Sequence, residues 1–458
     1  MFTIQSHAEA SQWIHYLAVG SRVFFVILLA GASFLPVYDK SSLLNQPPTT
    51  ILSTITNHLA PFCSWDGEHF ASITSYGYTT EQSFAFFPGF PIFVRACSFL
   101  FKFAYRFIPP EIVHCVVGSA ISNFCYVLFI RYLFTVNQLV LGHWRNAYIT
   151  TVLYIFLNPS NVFFSVNYSE SVYNLLFILG ITGFFAISID PASSTQSIRL
   201  VQSNLIPTLS GTLLLFLATF VKSMGIFNII FVLFSFLLMH NKNYSMFFTT
   251  LIYSIIAIFP FFSFQLFAYY QLPFEFKPDI KEFYKIYSKI QTKYWNLGKF
   301  TFWHVEQLPN FILAFPFVSL SFVSIVLVFS LHITQLIKKR RSKLKRVKSR
   351  KGKTYQIGQQ ESSADSLIKN TFESFGLASN FTIPFLVHFV IVLGFLLIFG
   401  HVQTIPRLLS NNPLIYWVLG YFLSKKGILK SIGLIFSTIF VFQSIFGAFL
   451  FSTFNPYT

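Results

Sequence analysis

Long apolar runs recur along the chain, "FVLFSFLLMH" and "LVHFVIVLGFLLIFG" among them, separated by shorter polar stretches. About 20 apolar residues make a helix long enough to cross the hydrocarbon core of a bilayer. By that measure the pattern predicts spans near 17–36, 112–134, 147–165, 170–189, 204–221, 225–240, 247–270, 309–337, 383–401, 413–424 and 430–452, the stretch 413–424 being short for a span. The expected fold is an all-α polytopic membrane protein with about 11 transmembrane helices in one transmembrane domain, residues 1–458. Three connections stand out: a first loop at 37–111, a second at 271–308, and a basic stretch at 338–380.

Composition strengthens this reading. Apolar residues make up 54% of the chain, 62 residues are Phe, and only 10% are charged, against about 25% charged in soluble domains. The net charge of +17 invites a nucleic-acid reading. We exclude it, because the basic residues lie mainly in the loops between apolar runs, where they set topology. The run Lys338 to Lys353 is the strongest such signal and places its loop in the cytosol; onward to about residue 380 it reads as a flexible linker. Counting back, the N-terminus is cytosolic and 37–111, 165–170, 222–225, 271–308 and 401–412 face the other side, the lumen in an endoplasmic reticulum protein. Ten of the 15 acids then fall on that face: Asp39, Asp66, Glu68, Glu81, Glu111, Glu170, Glu275, Asp279, Glu282 and Glu306. Asp and Glu contribute little to topology. A luminal site is therefore a candidate cause, alongside the plain tendency of long soluble loops to carry acids.

The four cysteines make no disulfide scaffold. Cys63 and Cys97 either meet on an oxidising side or stay free. The N-terminus has no basic stretch ahead of an apolar one, so the first span is expected to serve as the signal. The sequons at Asn167, Asn243 and Asn380 look unusable, the first at a membrane edge and the others cytosolic.

The first loop is too apolar to float in water. It reads as short interfacial helices broken by Pro88, Gly89 and Pro91. Within it "SWDGEHF" sets Trp65 at headgroup depth and Asp66 beside it, near the level of a lipid-linked phosphate. On a helix Asp66 and His69 share a face, while Glu68 points away. One carboxylate, Asp66, is thus the candidate base; the plainer alternative makes it a helix N-cap. A sugar on a lipid phosphate already has a good leaving group. A single base that deprotonates the attacking hydroxyl then suffices, whereas glycoside hydrolases need two carboxylates.

Other polar residues at luminal edges suit the same site. Glu170 opens a span, as a site residue or as a cap favoured by the helix dipole. Lys222 in "FVKSMG" is a phosphate ligand or a snorkelling lysine. Arg407 in "HVQTIPRLLSNNPLIYW" is placed to grip phosphate through two N–H groups, with His401 and Gln403 nearby. Trp295 and Asn296 in "YWNLGKF" stack on and hydrogen-bond a sugar, or anchor the interface. No metal-ligand cluster at ordinary spacing and no phosphate-binding glycine loop is present, and no cofactor is expected.

"WDGEHF", "FAFFPGFP", "NPSNVFFSVNYSE", "YWNLGKF", "QLPNF" and "HVQTIPRLL…NPLIYW", in that order from about residue 64 to 417, resemble the GPI mannosyltransferase 2 family. That family belongs to the GT-C class of polytopic glycosyltransferases. The chain departs from it at "VKSMG", where the family tends to read Arg-Ser-Asn-Gly, so no role is carried to Met224. The basic stretch 338–380 is no family motif either. The resemblance implies a GT-C-like bundle with a luminal catalytic face and dolichyl-phosphate mannose as donor. The implied acceptor is a GPI-precursor glycolipid carrying one mannose, and the product an α-1,6 linkage made with inversion in the endoplasmic reticulum membrane. In some lineages a small accessory membrane subunit accompanies the enzyme. Asp66 is then the catalytic residue, with Trp65, Glu68, His69, Glu170, Lys222, Trp295, Asn296, His401, Gln403 and Arg407 around the substrates.

Three rivals remain. Another dolichyl-phosphate-sugar transferase would differ only in its acceptor. A transporter or lipid flippase predicts mid-membrane ionisable residues and inverted repeats, and the spans are nearly free of central charge. A non-catalytic scaffold subunit would tolerate loss of Asp66.

Overall fold

The computed structural model describes residues 6–38, 57–184, 205–238, 244–273, 277–350 and 375–455, with residues 4 and 54. Asp39, Asp190, Glu275, Glu361, Asp365, Glu373, the sequon at Asn243 and residues 351–374 of the expected linker lie outside them.

A helix stands in each expected span. The first is α1 (His7–Ala32). Two more, α2 (Asp66–Tyr76) and α3 (Gly89–Ser98), sit in the first loop. There follow α4 (Pro110–Leu141), α5 (Trp144–Leu157), α6 (Glu170–Phe184), α7 (Leu205–Val221), α8 (Ile229–Leu238) and α9 (Tyr244–Gln271). Helix α10 (Ile286–Trp295) lies in the second loop, before α11 (Leu308–Arg350) and α12 (Thr382–Phe399). The chain closes with the single turn α13 (Ile405–Leu408), α14 (Leu414–Leu423) and α15 (Ile428–Ser452). Among the described residues, 6 helices are long and apolar enough to cross a membrane, and the remaining apolar helices are shorter.

Three differences from the sequence expectation have physical causes. The span expected at 147–165 stops at Leu157, because Pro159 disfavours helical geometry at Asn158; the chain then runs buried and mostly non-helical to Ser169. The short stretch 413–424 is no lipid-facing span. Every residue of α14 from Leu414 to Phe422 is buried, as befits a helix apolar all round at the centre of a bundle. Trp417 there donates from Nε1 to Asn137 Oδ1 at 2.7 Å. Finally, α11 continues through the basic run to Arg350. Lys and Arg are good helix formers and suit a helix C-terminus.

The first loop packs as a body. Phe70, Ile73, Phe84, Phe87 and Phe90 form one apolar cluster with residues of α4, α9 and α10. Beyond α3 a 3-10 segment, Phe99–Arg106, leaves Phe99, Leu100 and Phe103 exposed beside Lys102, the pattern of a segment lying at a membrane surface. All four cysteines are free. Cys63 packs against Cys115 rather than meeting Cys97.

Candidate active site

The segment Asn158–Ser169 builds the floor of the site. Tyr168 is fully buried. Its hydroxyl accepts from the Asp66 amide at 3.0 Å and donates to Ser64 O at 3.2 Å. Asn167 donates from Nδ2 to Gly67 O at 3.0 Å. The side chain of Asn167 occupies the space beside Gly118 on α4, where a Cβ would fall 1.8 Å from its Oδ1. The first sequon is thus sealed inside the fold. Between these anchors Trp65 takes φ 58°, a strained setting for a bulky residue that persists only where its surroundings enforce it. The strained turn makes Asp66 the first residue of α2, not its cap. Trp65 holds the cap position and no side chain caps the helix. Asp66 thus carries its charge at a helix N-terminus, where the dipole favours it.

Asp66 faces a network assembled from four parts of the chain. Arg407 donates from Nη2 to Asp66 Oδ2 at 2.7 Å and from Nε to Glu170 Oε1. Lys222 donates from Nζ to the same Glu170 oxygen at 2.9 Å. The Arg407 guanidinium lies over the rings of Tyr168 and Phe163, 4.8 and 5.0 Å from their centroids. Glu170 is completely buried, while the side chain of Asp66 keeps 25% of its exposure. Burial opposes the charge on Arg407, but Glu170 and Asp66 outweigh it and hold its pKa above the usual value. The network is neutral when intact: two carboxylates against two cations. Lys222 is positioned by the tight turn after α7. There a Cβ on Gly225 would meet Thr219 Cα at 2.4 Å, so the turn requires the glycine that follows Met224.

The other predicted residues form a rim. His69 stacks on Phe86 at 4.8 Å, and Phe86 meets Trp295 edge-on at 6.0 Å. Burial lowers the His69 pKa, with Asp66 acting against the shift. His401 donates from Nε2 to Trp295 O at 2.8 Å and stacks on Phe302 at 4.3 Å; burial lowers its pKa too, against the effect of that hydrogen bond. The backbone of Asn296 ends α10 in a left-handed conformation, φ 51°; its N–H donates to Thr292 O at 3.0 Å, and the N–H of Leu297 donates to Gln291 O at 3.3 Å. Gln403 Oε1 is buried without a hydrogen-bond partner and lines a small cavity of about 20 Å³ with Ser160 and Arg407. Glu68 lies near enough to Cys115 on α4 to act on it electrostatically. A much larger apolar cavity, about 770 Å³, opens between α3 and α4; Leu59, Phe93, Val113, Phe124 and Leu176 line it, with Val172, two residues on from Glu170.

Sequence reasoning missed Tyr168, Asn167 and Phe163. All three sit in "NPSNVFFSVNYSE", where only the charged Glu170 was read as a site residue and Asn167 only as a sequon.

These observations agree with what the chain resembles among known proteins. It matches the mannosyltransferase (PIG-V) family from residue 12 to residue 458. The chain belongs to that family. It is similar to GPI alpha-1,6-mannosyltransferase 2 of Cricetulus griseus, 29% identical over 91% of this chain and 85% of the relative. GPI mannosyltransferase 2 of Cryptococcus neoformans is 29% identical over 68% of this chain and 71% of its own length. GPI alpha-1,6-mannosyltransferase 2 of Homo sapiens is 26% identical over 79% and 73%. No solved structure matches the chain. As a family member the chain is a membrane-embedded mannosyltransferase, and the transporter and scaffold readings fall away.

Proposed function

We propose that this mannosyltransferase adds the second mannose, in α-1,6 linkage, to a mono-mannosylated GPI-anchor precursor. In this reading the donor is dolichyl-phosphate mannose and the site faces the endoplasmic reticulum lumen. The observation that carries the reading is the asymmetry of the two carboxylates. Glu170 is sealed and shared by both cations, whereas Asp66 reaches open space from a helix N-terminus.

Asp66 accepts the proton of the acceptor 6-hydroxyl as that oxygen attacks the anomeric carbon. The new carbon–oxygen bond forms on the face opposite the breaking bond to phosphate. The phosphate leaves with the electron pair, so a β-linked donor sugar becomes an α product. One base is enough because the leaving group needs no protonation. Arg407 and Lys222 stabilise the departing phosphate; arrival of the donor phosphate draws Arg407 from Asp66 and frees the carboxylate. Glu170 keeps both cations in place throughout. The His69–Phe86–Trp295 ring row offers a stacking face for sugar, with His401 bracing Trp295. The apolar cavity beside Val172 suits a lipid chain. A small accessory membrane subunit, if this lineage has one, joins as a partner.

The test is a microsomal assay with labelled dolichyl-phosphate mannose and a mono-mannosylated acceptor. A di-mannosylated product sensitive to α-1,6-specific cleavage is expected. Transfer only to another acceptor would reassign the substrate.

A further inference from the structure

The spans are not free of central charge. Because α1 begins at His7 rather than at residue 17, Arg22 sits well inside it, and it is buried. A buried charge at membrane depth is costly and is retained where it has work to do. Among the described residues no carboxylate pairs with Arg22. Nε donates to Ser21 Oγ at 3.3 Å on its own helix, and the two terminal nitrogens are satisfied by one short piece of chain: Nη1 donates to Asn161 O at 3.0 Å and Ser165 Oγ at 3.1 Å, and Nη2 donates to Asn161 Oδ1 at 2.9 Å. The guanidinium lies 3.8 Å from the Tyr126 ring centroid.

The partners extend the grip. Asn161 Nδ2 reaches Ile155 O at 3.1 Å and Ser444 Oγ at 3.0 Å, tying in the end of α5 and α15. Ser165 donates to Asn123 Oδ1 at 3.0 Å, and Asn123 donates back to Ser165 O at 3.1 Å. The piece so held, residues 161–165, has little regular hydrogen bonding of its own: a single 3-10 turn, Asn161–Phe164. It carries Phe163, whose ring supports Arg407, and leads straight into Tyr168 and Glu170.

We propose that Arg22 is a positioning residue. Its guanidinium pins residues 161–165 from inside the bundle, so that Phe163, Tyr168 and Glu170 hold Arg407 and the start of α2 in working geometry. Its consequence for turnover rests on the proposed mannose transfer; the pinning itself does not.

Two measurements on the full-length protein in nanodiscs test this with Arg22→Met, Arg22→Lys, Asn161→Ala and Ser165→Ala. Hydrogen exchange of Arg22→Met should speed up by about tenfold or more across residues 161–170 and stay unchanged in α14. The kcat should fall by about tenfold or more while both KM values stay within about threefold, the mark of lost alignment rather than lost binding. Arg22→Lys, able to reach fewer of the oxygens, should recover part of the loss. If Arg22→Met does not accumulate, Asn161→Ala and Ser165→Ala, each removing one acceptor, should show the same two signatures more weakly. Unchanged exchange at 161–170, or faster exchange with wild-type turnover, overturns the proposal. If wild-type protein transfers no mannose, the functional reading fails, and the exchange result still decides whether Arg22 pins the segment.

Discussion

Arg407 and Asp66 meet at 2.7 Å although 341 residues of chain separate them. The same guanidinium also holds Glu170, so one side chain bridges the partly exposed carboxylate and the sealed one. A planar fork serves two carboxylates at once; an ammonium is a single point of charge. Arg407→Lys should therefore keep the charge and lose the bridge. The expected loss in donor kcat/KM corresponds to about 1.5–3 kcal/mol, the range for a hydrogen bond to a charged group. Steady-state kinetics with varied donor would show it. Unaltered kinetics in this variant would make Arg407 a bystander.

Glu170 separates structural from chemical roles. Replacing it by Gln leaves Lys222 and Arg407 buried with one carboxylate between them. Removing one partner of a buried ion pair costs about 3–5 kcal/mol. Thermal unfolding in detergent should reveal a clearly lower Tm for Glu170→Gln, and a smaller drop for the double variant Glu170→Gln, Lys222→Met, where anion and cation leave together. A wild-type Tm in the single variant would contradict the shared-carboxylate geometry.

The histidines set a pH dependence. Burial lowers the pKa of His69 and His401 in the fold below the unfolded value of about 6.5. As the pH falls below that value, the unfolded chain takes up protons that the folded chain resists, so the fold loses stability progressively; above it both states are neutral at these residues and no such loss occurs. Stability should thus decline on acidification from about pH 7 towards 5, by at most about 1.4 kcal/mol per pH unit for each histidine. His69→Gln should flatten the decline measured by denaturation over that window. An unchanged slope would show that His69 is free to protonate in the fold.

The proposed topology rests on the basic run and is testable apart from activity. In a cysteine-depleted background, Arg340→Cys and Glu306→Cys place thiols at exposed positions on either end of the α11 span. Arg340→Cys should react with an impermeant maleimide from the cytosolic side and Glu306→Cys only after the vesicles are opened. Reaction of both from one side would remove Asp66 from the luminal face.

Much of this fold was legible because membrane spans announce themselves by composition: eleven runs were expected, and a helix stands in each. What the runs hid was which helices face lipid. Apolar residues look alike whether they meet lipid or protein, so α14 read as a short span although it is the centre of the bundle. The charged members of the candidate site stood out too, since Asp66, Glu170, Lys222 and Arg407 are rare charges at the ends of apolar runs. Their pairing was not. Contacts such as Arg407 with Asp66 depend on how distant helices pack, which no local pattern encodes. Tyr168 and Asn167 were missed for a related reason: each acts through hydrogen bonds to the backbone of "SWDGEHF", and a polar uncharged residue in an apolar segment carries no mark of its partner. Arg22 was assigned to a span starting too late, which hid its depth.

The central claim is that Asp66 alone serves as the base. Asp66→Asn keeps size and hydrogen-bonding capacity and removes basicity. Because Asp66 does not cap α2 and Arg407 keeps its ion pair with Glu170, the substitution should leave the fold in place. The most direct measurement is mannose transfer by purified, correctly inserted Asp66→Asn and Glu68→Gln beside wild type. The account predicts a loss of about 10²–10⁴ in rate for Asp66→Asn and a much smaller one for Glu68→Gln. Near-normal transfer by Asp66→Asn, or a reversed ranking, would contradict it and move the base to Glu68.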